Sequence, residues 1–93
     1  MTASEDFKKA DKAVHPVESQ WHYPIMTKHG WTPVTPEAVG FVRSYDYTHP
    51  VNRGSITVTT GYSSDYWKDN NPKDGAYHGG FWSDLEPYLR EVK

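Results

Sequence analysis

Residues 39 to 62 read VGFVRSYDYTHPVNRGSITVTTGY, and this stretch decides the fold. Two alternating runs, FVRSYDYT and SITVTTGY, flank the breaker-rich HPVNRG, so the pattern predicts two β-strands joined by a loop. Setting Thr48 opposite Ser55 places Tyr47 against Ile56, Tyr45 against Val58, Arg43 against Thr60 and Phe41 against Tyr62. The other face then carries Ser44, Asp46, Thr57 and Thr59, so one side is apolar and one polar. An aromatic strand with an arginine also fits a base-stacking platform. Because the same face holds Ile56 and Val58, the core is the better reading. Arg43 then sits at the rim, its stem buried and its guanidinium reaching water or a carboxylate.

Working outward, Trp31 to Val34 is a short extended segment and TPEA a turn. Before them, PVESQWHYPIMTKHG places Val17, Trp21 and Ile25 at i, i+4, i+8 and ends on His29-Gly30, a basic residue before a glycine C-cap, which predicts a helix. Pro24 would kink or split that helix. A first helix is expected from Thr2, with Glu5 at capping-box spacing, through Val14; residues 1–15 hold it weakly. At the other end SDLEPYLREVK has Ser83 and Glu86 at capping-box spacing and Leu85, Tyr88, Leu89 and Val92 on one helical face. Trp82 is placed to staple its start. The expected fold is a single α+β domain over residues 1–93: an antiparallel three-stranded sheet with helices packed on one face, αβββα-like.

Composition narrows the function. A chain of 93 residues buries only about 60 to 65 percent of its unfolded surface. Leucine occurs only at Leu85 and Leu89 and isoleucine only at Ile25 and Ile56, so aromatics and valine must fill much of the core. Cysteine is absent, which removes disulfides and thiolate metal sites. The polar opening MTASEDFKK has no signal-like apolar run and no membrane-length segment follows, so a cytoplasmic protein is the expectation. The net charge of −2, with the excess acid in the last third, and only three arginines make a poor start for a nucleic-acid binder.

Lys28 to Trp31, together with Tyr47-Thr48-His49-Pro50 and the strand SITV, resembles the HicA-type (YcfA-like) mRNA interferase toxins. The resemblance covers roughly residues 17 to 62 and the last helix, and it implies a double-stranded-RNA-binding-like αβββα scaffold. In that family a Gly-Ser-His at the start of the second strand supplies the catalytic histidine. The matching stretch here is Val42-Arg43-Ser44, with Ser44 in the histidine's place, so the resemblance implies the scaffold and not the ribonuclease activity.

Other chemistry finds little footing. His15, His22 and His29 recur every seven residues, but that is about 10 Å along a helix, too far to share one ion. Ser63, Ser64, Asp65 and His78 supply the residue types of a hydrolase without a nucleophile elbow or oxyanion loop, and they read as turn formers. Gly79-Gly80 lacks the Lys-Ser/Thr of a phosphate loop. No catalytic residue, metal or cofactor is expected.

Residues 61 to 82, GYSSDYWKDNNPKDGAYHGGFW, carry six aromatic side chains on what reads as broken chain. From about Asp69 to Gly80 it reads as a connection of some twelve residues, a length at which loops are functional or disordered. Its Tyr, Ser, Gly, Asn, Asp and Trp are the residues of a binding paratope. Tyr66, Trp67, Phe81 and Trp82, beside the strand and helix, read as folding back on the core, while Tyr77 and His78 are least needed there. Tyr77, His78, Trp67 and Tyr66 make the candidate protein-contact set, and Trp67 with Tyr77 also carries the residue types of a sugar site. The expected function is a non-enzymatic protein-binding module, a small inhibitor or adaptor of mobile-element (phage-like) origin. The alternative is a degenerate RNA-binding domain using Lys28, Arg43 and Arg53.

Overall fold

The computed structural model describes residues 13–51, 54–61, 64–72 and 74–91. The expected hairpin is its centre: β4 (Arg43–Thr48) pairs antiparallel with β5 (Ser55–Thr60) in the register read from the alternation, Arg43 opposite Thr60 through Thr48 opposite Ser55. The further pair, Phe41 with Tyr62, lies outside the described residues. Tyr45, Tyr47, Ile56 and Val58 are fully buried, whereas Ser44, Asp46 and Thr48 on the other face are exposed.

The sheet is not three-stranded. β2 (Thr32–Pro33) adds to the outer edge of β4, and β6 (Asp65–Asp69) and β7 (Gly79–Phe81) extend the other side, giving five antiparallel strands in the order β2-β4-β5-β6-β7. A separate two-stranded ribbon pairs β1 (Val14–Pro16) with β3 (Glu37–Val39). The αβββα arrangement is corrected on both counts. The region 61 to 82, expected as a loop, supplies two strands, and TPEA leads into a strand.

β6 hid because its core-facing residues include carboxylates: Asp65, Trp67 and Asp69 lie opposite Thr60, Val58 and Ile56. β7 hid because it opens with two glycines, poor strand formers. Those glycines answer a steric need. A Cβ on Gly80 would lie 2.7 Å from an Asp84 carboxylate oxygen, and one on Gly79 would lie 2.6 Å from the Tyr77 hydroxyl.

The helices are shorter than the sequence predicts. A 3₁₀ turn at Val17–Ser19 precedes α1 (His22–Lys28). Pro24 neither kinks nor splits it, because it is the third helical residue, where a backbone N–H would lack an intrahelical partner. Pro87 occupies the same position in α2 (Leu85–Glu91), which follows a 3₁₀ turn at Trp82–Asp84. The Ser83–Glu86 capping box is not the start of α2. Glu86 instead receives hydrogen bonds from Lys28 and His29 at the end of α1, at 3.2 and 3.1 Å. The helix expected from Thr2 lies outside the described residues, apart from its end, where Val14 is in β1.

The end of α1 follows the glycine signal. Gly30 has φ +87°, its N–H bonds to the Thr27 carbonyl at 3.0 Å, and the Trp31 N–H bonds to the Met26 carbonyl at 2.9 Å. This is a Schellman motif, sealed by the buried pair Met26 and Trp31. Both helices cover the face carrying Tyr45, Tyr47, Ile56 and Val58, where Val17, Met26, Trp31, Trp67, Leu85 and Leu89 complete the core. Among the described residues no helix is long and apolar enough to cross a membrane.

Candidate functional site

Side chains alternate across a strand, so the registers order the open face of the sheet into rows. One row runs Ser44, Thr59, Tyr66, Phe81 across β4 to β7; the next runs Asp46, Thr57, Lys68, Gly79. The β4–β5 half is a polar lattice closed on itself. Ser44 and Thr59 hydroxyls lie 3.0 Å apart, the Thr57 hydroxyl donates to Asp46 Oδ1 at 2.6 Å, and Asn70 Nδ2 donates to Thr57 and Ser55 at 2.8 and 3.0 Å. The β6–β7 half is aromatic. Tyr66 and Phe81 face each other directly and are 47 and 62% exposed, and Tyr77, whose hydroxyl lies over Gly79, is 75% exposed. Lys68 shares their face.

The segment between β6 and β7 is anchored from the core side. Tyr88 of α2 lies between two rings, stacked on Trp67 at 4.8 Å and on His78 at 5.2 Å, each at 30°. Its hydroxyl donates to Asp69 Oδ2 at 2.5 Å, and the Asn71 N–H donates to Asp69 Oδ1 at 2.9 Å, which makes a carboxylate on the core face tolerable. Burial and the Asp69 carboxylate both raise the Tyr88 hydroxyl pKa, so it remains a donor. His78 Nε2 lies 2.8 Å from Asp74 Oδ2. The bond from the Ala76 N–H, and then His78, hold the Asp74 carboxyl below its ordinary range.

The candidate contact residues therefore divide. Tyr77 and Tyr66 stand on the open face, while Trp67 is 3% exposed and donates its indole N–H to the Phe81 carbonyl at 3.0 Å. His78 is half-buried against Tyr88. Phe81 and Trp82, expected in the core, are both exposed, Trp82 meeting Trp21 edge-on at 6.5 Å. Phe81 is the exposed ring of this face that sequence reasoning missed. Recognising β7 would have found it, two residues from Gly79 on one face. Of the proposed nucleic-acid set, Lys28 and Arg43 are among the described residues. Lys28 pairs with Glu86 on the helical side, and Arg43 is half-buried on the core face with Nη1 donating to the Gly40 carbonyl at 2.9 Å. Arg53 lies outside the described residues.

Beneath the sheet, His22 is fully buried with Nδ1 2.6 Å from the Tyr47 hydroxyl. Burial lowers its pKa to about 4; Asp65 opposes the shift and Arg43 adds to it. His22 is thus a neutral core histidine at neutral pH. Comparison of the chain with protein-family models, curated proteins and solved structures gives no match.

Proposed function

We propose that the chain is a non-enzymatic protein-binding module, an inhibitor or adaptor, whose contact surface is the aromatic half of the open sheet face. The observation that carries this reading is the cross-strand pair of Tyr66 and Phe81, both largely exposed, beside the still more exposed Tyr77. Tyr66 and Phe81 are held on adjacent strands with Tyr77 beside them, and such rings cost little conformational entropy to dock and dominate binding energy where a partner excludes water. Lys68 among them supplies a charge at a site otherwise made of rings. Carbohydrate recognition by Trp67 with Tyr77 has no support, because the Trp67 ring is sealed under Tyr88.

The test is capture from host lysate on immobilised protein, with and without nuclease, repeated with the double variant Tyr66→Ser and Phe81→Ser. A protein retained by the wild type after nuclease and lost with the variant supports the proposal. A partner retained equally by the variant refutes the surface. Recovery of RNA that falls steeply with salt instead supports the nucleic-acid alternative.

A further inference from the structure

Buried polar atoms in folded proteins nearly always have partners. Among the described residues four have none: Trp21 Nε1, His22 Nε2, Arg43 Nε and Thr60 Oγ1. The residues that carry them are neighbours in the fold. Arg43 and Thr60 stand directly opposite each other on the core face of β4 and β5. The His22 ring lies 5.1 Å from that of Tyr45, the next core-facing residue of β4, and the Trp21 ring meets His22 edge-on at 5.3 Å.

Donors predominate among them. The Tyr47 hydroxyl lies 2.6 Å from His22 Nδ1, so the partnerless Nε2 is the other ring nitrogen, a donor when it carries the proton and an acceptor when Nδ1 does. Arg43 gives Nη1 to the Gly40 carbonyl and its guanidinium also reaches the Tyr45 hydroxyl, while Nε has no partner. Two fixed N–H donors, one of them on a permanent cation, therefore stand with a hydroxyl and an imidazole nitrogen. The Asp65 carboxylate, next in the row after Thr60, accepts from the Gly61 N–H at 3.3 Å. The oxygens of a carboxylate or phosphate can accept from all of these donors and add a charge-assisted bond to the guanidinium.

We propose that Trp21, His22, Arg43 and Thr60 form a binding site for a small oxyanion, a carboxylate or a phosphate group, between the start of α1 and the core face of the sheet. The site lies on the opposite side of the sheet from Tyr66, Phe81 and Tyr77, and it does not rest on the protein-binding reading.

Thr60→Val tests it cleanly. The Thr60 hydroxyl has no partner to lose, so the near-isosteric valine leaves the fold intact. Acetate and inorganic phosphate are titrated separately at constant ionic strength while the Trp21 indole N–H resonance is followed by NMR. Saturable displacement of that resonance by acetate assigns the site to carboxylates, and by phosphate to phosphate groups. In either case Thr60→Val weakens the apparent affinity roughly threefold to tenfold, the worth of one hydrogen bond. An indole resonance unmoved by both anions, or one whose dependence is the same in Thr60→Val, overturns the proposal.

Discussion

Acid should weaken this fold through His22 before it does so through the two carboxylates that hydrogen bonds hold low. In the folded chain the His22 pKa falls from 6.5 to about 4, chiefly because burial disfavours the imidazolium. In the unfolded chain the group titrates near its ordinary value. Below that value the unfolded state takes up a proton that the native state refuses, so stability declines as pH falls from about 6.5 and levels off once the native histidine also protonates near pH 4. The depression of about 2.5 units, at about 1.4 kcal/mol each, comes to about 3 kcal/mol. For a domain of this size that corresponds to a melting temperature lower by roughly 10–20 °C. Asp74 and Glu86 are also held low, but their ordinary values of 3.8 and 4.5 put their contributions at the acid end of this window or below it. The assay is urea unfolding at intervals from pH 7.5 to 4, on the wild type and on His22→Phe, in sulfonate and piperazine buffers. Removing the Tyr47 partner lowers the variant's stability at every pH, so the informative quantity is the difference in slope. Its pH profile should be flatter by about 3 kcal/mol across the window. Identical slopes in the two proteins would refute the reasoning.

Two further outcomes follow from the anchors of the fold. Tyr88→Phe keeps the ring between Trp67 and His78 but removes the hydroxyl that bonds the buried Asp69. Urea unfolding should show a loss of about 1.5–3 kcal/mol, the range for a hydrogen bond to a charged group, and additivity with Asp69→Asn would contradict the coupling. Gly30→Ala forces a side chain into φ +87° with its Cβ 2.8 Å from His49 Nε2. Thermal unfolding should register about 1–2 kcal/mol from the left-handed conformation alone, and an unchanged melting temperature would remove the C-cap argument.

What could be read from the sequence was local. The β4–β5 register followed from alternation, because a slip of one residue would turn Tyr45, Tyr47, Ile56 and Val58 out to solvent together. The end of α1 followed from His29-Gly30, since glycine reaches the left-handed conformation at low cost. Exposure of Tyr77 matches its place among small and polar neighbours. The other assignments depend on residues distant in the chain. Asp69 can face the core because Tyr88 from α2 and the Asn71 N–H satisfy its carboxylate, so β6 reads as polar until α2 is in place. Tyr66 and Trp67 are neighbours in the chain, but pairing with β5 turns one ring to solvent and the other under Tyr88. Phe81 joins Tyr66 only once Gly79 and Gly80 are accepted as a strand, and Asp84 and Tyr77 crowd those glycines from outside β7. The His22 ring comes against Tyr45 on the core face only when α1 closes over the sheet. Alternation and capping are fixed by backbone geometry within a few residues. Burial of a carboxylate, the facing of a ring and the burial of a histidine are set by hydrogen bonds and packing between distant segments, and those were decided by the tertiary structure alone.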